Sequence, residues 1–544
     1  MPCGPRCRKC GGSTASPGDE PVLAIAGGLL GLLLLACAVA PSASAVEAAS
    51  DRVHITTSRL DLVFTLDGAS PETWRACHPS CAQANAASGT SIRFTGSDDP
   101  PQPRLVLRDA GSSPGLTVDL QRLRFTAAVT EATPARIVTF EADLPVEGVR
   151  LVKSFEVSRD GYEVVMTARL LGPNAAAFMA GRRLELELGA GRNVYPAPAA
   201  GFTAVLDRMK RVMVGGDGVR VLGDDNPSPT PLRAGDWAGF RNRFWVIVAR
   251  SDGAVAVESR PAAGIALVPT AEPDRLSWRY TLYSGPLDNR ALIRADPALG
   301  QLLFDGLWSW LRALSFGLLF LLRGLIAVLG HPGVAIIALA FSVKILLLPL
   351  ATVAERLQEQ VNATQARLQP AIDAIKAAHT GEERVRRTVA LYREARVHPL
   401  YTLKSLLGFL IQFPVFIAVF DMLAEDFDLY RVPFLWIPDL SRPDDLLRLP
   451  FCLPFFGCYL NLLPFLMSGI SAAALLRYHS PVLTPALVRR QRRNLLGMTL
   501  LFFLLFYTFP AGMVLYWTST NAFQLVSQEL GRLRRLWRRP RAVA

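Results

Sequence analysis

Lys344 stands inside the run "FSVKILLLPL" (341–350), an apolar stretch with no acidic residue within a helical turn on either side. A lysine near mid-bilayer costs ~2.5–3.5 kcal/mol on insertion scales, so one that persists there faces water or a partner, or lies a short way from the surface. Leu350 is ~9 Å away along a helix, so snorkelling to the cytoplasmic surface is one reading. The other is a wet pocket. Tyr516, Thr520 and Gln524 recur every four residues as one polar stripe, with Thr518, Ser519 and Asn521 nearby. Gln412 precedes Pro414 in a second apolar run, and Asn461 lies in a third. Polar groups in lipid need hydrogen-bond partners or water, and hydroxyls or amides that join helices account for some of these. A lysine and a polar stripe spread over short runs imply a hydrated pocket in a helix bundle. A transporter would use such a pocket for a solute or ion, but there is no inverted repeat and no intramembrane carboxylate pair to carry protons or sodium.

Other chemistry is scarce. Cys3, Cys7 and Cys10 have the C-x3-C-x2-C spacing of iron–sulfur ligation, yet they precede an export signal and no α/β barrel pattern follows. Cys77 and Cys81 in "CHPSC" are open to two readings, a local disulfide in an oxidising compartment or two thiols. His54 and His78 are the only histidines in the first 300 residues, and the chain has no nucleotide motif, metal-ligand spacing or nucleophile elbow. The sequence therefore implies no enzyme, no cofactor and no DNA partner.

The elements that must position Lys344 lie in the second half. Of the 544 residues 51% are hydrophobic and 19% charged, and past about residue 300 apolar runs of membrane-crossing length recur. The net charge of +12 is gathered at the ends of those runs, a topology signal rather than a nucleic-acid surface. Segment 301–330, with Trp308, Trp310, Arg312 and Arg323 among leucines, suits an amphipathic helix in the membrane interface better than a span. Spans are expected at 334–350, 405–423, 451–475, 495–509 and 513–530. Loop 351–404 is rich in arginine and lysine, 477–494 and 531–544 contain no acid, and 424–448 holds six acids against three arginines. The first three are expected in the cytoplasm and the last outside, which puts the C-terminus in the cytoplasm.

Within 351–400, Val353, Leu357, Val361, Leu368, Ile372 and Ile375 keep an apolar seam. Thr380-Gly381-Glu382-Glu383 has capping-box form before a second helix with Val385, Val389 and Tyr392 on one face. A cytoplasmic helical hairpin is expected. Residues 1–45 read as a signal sequence with a small-x-small site at Ala43-Ser44-Ala45, as a lipoprotein leader at "LLAC", or as an uncleaved anchor. Residues 46–300 alternate with period two and carry Asp-Gly turns at 67–68, 160–161 and 252–253, the pattern of an exported antiparallel β-sandwich domain.

This order of parts resembles the YidC family of membrane protein insertases, carried by "GVAIIALAFSVKILLLPL", "ARLQPAIDAIKAA", "LYREARVHPL", "LIQFPVFIAVFDML", "FLWIPDLSRPD" and "FPAGMVLYW". The resemblance implies a polytopic α-helical membrane protein with a five-span insertase core (331–530) and a periplasmic β-supersandwich, located in the bacterial inner membrane. It further implies a groove whose single cation, here Lys344, meets the polar part of a nascent membrane protein, with Gln412, Asn461, Tyr516, Thr520 and Gln524 as candidate groove residues. The Sec translocon is the implied partner. The basic tail 531–544 suits the lipid bilayer, or ribosomal RNA if the ribosome docks there. This chain departs from the family in having lysine where arginine is usual, in the longer "YTLKSLLGFL" after the hairpin, and in a first segment that looks cleavable.

Overall fold

The computed structural model describes residues 51–84, 90–94, 102–109, 118–189, 201–223, 229–260, 264–270, 275–398, 406–477 and 485–537. The leader with Cys3, Cys7 and Cys10, the stretch 399–405, the loop 478–484 and the tail past Trp537 lie outside the described residues.

The period-two pattern of the first half becomes antiparallel sheets. Nine strands lie side by side in the order Gly218–Leu222, Lys210–Gly215, Trp237–Arg241, Trp245–Ser251, Ser277–Pro286, Glu163–Leu171, Arg150–Ser158, Ala135–Asp143, Thr126–Glu131. A five-stranded sheet runs Thr230–Leu232, Val255–Arg260, Gly264–Pro269, Arg182–Leu188, Arg104–Asp109, and a four-stranded one Arg52–Thr56, Leu60–Thr65, Pro71–His78, Thr90–Arg93. The sheets bury one continuous core that includes Phe64, Trp74, Phe140, Phe155 and Tyr280.

Two of the Asp-Gly turns sit between neighbouring antiparallel strands: Gly68 takes φ +77°, and Asp160-Gly161 joins a true hairpin. The third does not. Trp245–Ser251 pairs with Ser277–Pro286 in the nine-stranded sheet, whereas Val255–Arg260 pairs with Gly264–Pro269 in the five-stranded one. Asp252-Gly253 therefore carries the chain from sheet to sheet, because the longer aromatic strand Ser277–Pro286 occupies the place a hairpin partner would have taken. Cys77 and Cys81 are joined as a disulfide.

Twelve helices are described: α1 (Cys81–Ala84), α2 (Ala175–Met179), α3 (Gly201–Leu206), α4 (Asn289–Ala295), α5 (Ser309–Leu329), α6 (Pro332–Leu346), α7 (Leu348–Ala378), α8 (Gly381–Glu394), α9 (Leu406–Glu425), α10 (Leu462–Arg477), α11 (Pro485–Phe506) and α12 (Ala511–Trp537). Among the described residues α5 is the one single helix whose length and apolarity make it a candidate span, and α6 with α7 passes as a pair bent by 59°. Gly330 ends α5 at φ +74°, and α6 starts with Pro332 at its first turn while His331 Nδ1 accepts from the Gly333 amide at 3.0 Å.

The third expected span is corrected. Residues 451–460 are not helical: Leu447–Leu453 and Gly457–Leu460 form a β-hairpin closed by a Cys452–Cys458 disulfide, and the helix is only α10. Pro450 and Pro454 lack the N–H groups a helix interior requires, and Gly457 turns at φ +80°. The hairpin seam is corrected too. Val361, Leu368 and Ile372 of α7 are buried but Val353 is exposed, and α8 buries no residue. Thr380 is the N-cap of α8 but its side chain makes no capping bond, and Glu383 instead holds Arg387 one turn on at 2.7 Å.

The β region meets the helices at one end, termed outer only because the β sheets lie beside it, through buried arginines. Arg241 binds Asp305 and, at 3.1 Å, Glu425 at the end of α9, whose other oxygen accepts from the Phe304 amide at 2.9 Å. Arg243 donates to the Ala424 carbonyl and, at 2.6 Å, to that of Ser441. At the α11–α12 turn, Phe202 stacks on Phe509 at 4.0 Å, while the Phe202 amide and Thr203 hydroxyl bond Thr508.

Candidate functional site

Lys344 and Gln524 meet because α6 and α12 start at one level and run the same way. The amides of Ala511 and Gly512 donate to the carbonyls of Arg442 and Leu440, and the ring of Phe434 in the same loop lies against Gly333. From those starts Lys344 lies ~18 Å down α6 and Gln524 ~20 Å down α12 at 1.5 Å per residue. Lys344 Nζ donates to Gln524 Oε1, and beside them Phe341, one turn earlier on α6, packs against Phe523 with centroids 5.1 Å apart. A half-buried ammonium with one amide partner keeps two donors for water or a visiting acceptor.

Tyr516 and Thr520 lie on the same face of α12 as Gln524, Tyr516 buried and Thr520 half-buried. The hydroxyls of Thr518, Ser519 and Thr520 each donate to the carbonyl four residues earlier, so α12 itself satisfies them. Asn521 Nδ2 donates to Ser471 of α10 at 2.8 Å, the helix-joining role that hydroxyls and amides were expected to share. Rings of Phe416, Phe420, Phe502, Phe506 and Trp517 lock α9, α11 and α12 together.

Two candidates lie elsewhere. Gln412 is exposed on α9, and Asn461 is buried at the outer end of the bundle, where Nδ2 donates to the Tyr507 carbonyl at 2.7 Å and Oδ1 accepts from the Asp445 amide at 3.1 Å. Asn461 belongs to the outer loop because the segment before it is a hairpin rather than a helix.

Sequence reasoning missed Asp421 and Glu425, two acids one turn apart on α9. Both lie near Arg241, which holds Glu425 directly. Their spacing was legible, but their partner is ~180 residues upstream in the β region, which no local pattern reveals. A cavity of about 220 Å³ also opens at this outer level, lined by Arg59, His78, Tyr162, Asp288, Arg323 and Asp428 among others. Burial, aided by Arg59, lowers the His78 pKa, and burial pushes the Tyr162 hydroxyl up to about 12. Among the described residues no cluster of three or more His, Cys, Asp or Glu is arranged to hold a metal.

Residues 325–534 match the family model described as 60Kd inner membrane protein. The membrane protein insertase YidC of Cupriavidus metallidurans is 32% identical over 250 residues, covering 45% of this chain and 40% of that protein. That of Beijerinckia indica subsp. indica is 26% identical over 335 residues, covering 56% and 54%. Over this region the chain is similar to the YidC family of membrane protein insertases. The chain matches about half the length of those relatives, and the family match spans α6 to α11 and most of α12, the region that holds Lys344 and Gln524. A solved active YidC insertase with its first transmembrane domain resolved aligns over 88% of this chain and 92% of that one at 16% identity, with a TM-score of 0.34.

Proposed function

We propose that the chain is a non-enzymatic membrane protein insertase and folding helper of the inner membrane. A nascent segment approaches from the cytoplasm, its hydrophilic end meets Lys344, and transfer of its apolar part into lipid supplies the driving energy. The observation that carries this reading is the Lys344–Gln524 pair, a cation whose one described hydrogen bond goes to a neutral amide, between two helices that run inward from the outer loop. A neutral amide positions the ammonium and leaves its charge for an incoming carboxylate or carbonyl.

In this reading the five spans are α6, α9, α10, α11 and α12, with residues 46–300 periplasmic and the α7–α8 hairpin and C-terminus in the cytoplasm. The helix α5 lies along the outer interface. Its two arginines support this, because Arg312 donates to the Gly300 carbonyl and Arg323 pairs with Asp288 and Asp428, so points ~16 Å apart on α5 both reach outer groups. The Sec translocon and the ribosome are the partners this reading invokes.

The test is insertion of a small single-span client in cells depleted of their own insertase and supplied with this chain. Wild type and Lys344→Arg should restore insertion, Lys344→Glu should not, and Lys344→Ala should fall between, at equal amounts of protein in the membrane. Equal restoration by all four would make Lys344 a snorkelling residue. No restoration by wild type would remove the insertase reading.

A further inference from the structure

The β-hairpin of Leu447–Leu453 and Gly457–Leu460 stands between the outer end of α9 and the start of α10. In its first strand six of the seven residues are exposed, Leu447, Phe451 and Leu453 among them. Phe451 is 57% and Phe455 58% exposed, and Tyr459 is also open. From 446 to 461 the only charged residue is Arg448, whereas 424–445 holds six acids.

This apolar surface is held in place rather than free to fold back. Cys452–Cys458 closes the tip, Phe456 packs edge-on against Tyr507 at 5.4 Å, and the Tyr507 hydroxyl donates to the Tyr459 carbonyl at 3.1 Å. On the other side Gly201 sits so near the tip that a Cβ there would come within 2.7 Å of the Phe455 carbonyl. A two-stranded hairpin is marginal alone in water, and one built to present aromatic and leucine side chains outward needs something apolar to cover them.

We infer that this hairpin is a wedge seated in the outer leaflet of the bilayer, at the boundary of headgroups and acyl chains. The inference rests on the reading that α9 to α12 span the membrane. Lipid is the occupant because Phe465 and Leu466 at the start of α10 are exposed as well, Phe465 meeting the same Tyr507 ring as Phe456 of the hairpin, and the lone cation Arg448 suits lipid phosphates. The hairpin's open strand edges keep it at the interface, since unpaired backbone groups need water that the hydrocarbon centre lacks. Seated there, the wedge fixes the depth of the α9 and α10 ends and so the depth of the pocket below.

The experiment uses the full chain in phosphatidylcholine–phosphatidylglycerol vesicles containing a phospholipid with a photoactivatable diazirine high on its acyl chain, followed by peptide mapping of the adducts. Lipid adducts are expected on the 447–460 peptide as well as on the exposed leucines of α11, Leu500, Leu501, Leu504 and Leu505. In a Phe451→Asp, Phe455→Asp variant the hairpin adducts should be lost and the α11 adducts kept, with Cys452–Cys458 still formed. Labelled α11 with an unlabelled wild-type hairpin overturns the wedge and leaves the spanning reading standing. No label on either overturns both, and hairpin crosslinks to a second copy of the chain in place of lipid adducts overturn the lipid assignment.

Discussion

At the outer end of the helical core, Arg241 is 2% exposed and ion-paired to both Asp305 and Glu425, and Arg243 binds the carbonyls of Ala424 in α9 and Ser441 in the loop beyond it. At the inner end Lys344 is half-buried with one amide for a partner, and α8 beyond it buries nothing. Both ends use cations among apolar helices, but the outer ones are used up by their partners and the inner one is not. An arginine with two carboxylates is a fastener, because breaking the set strands a buried charge. A lysine held by a neutral amide remains available to a second acceptor. The proposed insertase role needs both: an end that keeps its helices in register and an end that admits a polar tail.

The largest effect expected from breaking this contrast is at the outer end. Arg241→Ala leaves the largely enclosed Asp305 and Glu425 without their cation and should cost ~3–5 kcal/mol, measured as loss of membrane-accumulated chain and faster trypsin cleavage between the β region and α5. Lys153 is a third kind of cation, sealed in the β region with Nζ donating to the Gly68 carbonyl at 2.6 Å and no carboxylate. Burial pushes its pKa from 10.5 to about 7. Between those values the unfolded chain binds a proton that the folded chain does not, so wild-type stability should rise from pH 7 to 10.5. Lys153→Met should therefore stabilise by ~1–4 kcal/mol below pH 7 and lose that gain as the pH rises, read by thermal unfolding of the full chain across the range.

How much of this was legible in the sequence follows the same division. Lys344 and Gln524 were each visible as candidates because each interrupts a local apolar period, though their pairing was not, and the sheets were visible because period-two alternation is also local. The outer seam was not. Arg241 and Glu425 are ordinary charges until a contact 184 positions apart joins them, and Asn461 looked intramembrane because a run of leucines and phenylalanines reads alike as helix or as exposed hairpin. Pro450, Pro454 and Gly457 were the signal against a helix. The Asp252-Gly253 turn erred for a similar reason, since turn chemistry is local but the choice of sheet is made by Ser277–Pro286 further along.

Smaller substitutions sharpen the contrast. Phe202→Ala removes the ring stacked on Phe509 and should cost ~0.5–1.5 kcal/mol beyond the lost area, seen as a lower unfolding temperature with client insertion retained at permissive temperature. Gln524→Ala removes the only hydrogen bond described for Lys344 Nζ. It should cost about 1 kcal/mol in stability, yet reduce client insertion by more than that loss of protein explains. A fall in insertion that merely tracks the amount of folded chain would put Gln524 among the fasteners.

The smallest effect is expected at α8, and it tests whether the inner end is as uncommitted as its side chains suggest. Val385 is 58% exposed on a helix that buries nothing, so Val385→Asp should change stability by no more than ~0.5 kcal/mol, measured by thermal unfolding in detergent. A loss of 2 kcal/mol or more would mean that α8 packs its apolar face in the assembled protein, and the inner end would then be fastened as firmly as the outer. With stability unchanged, a drop in client insertion would place the cost on contacts α8 makes outside the chain, which is where an exposed valine on a charged helix has its use.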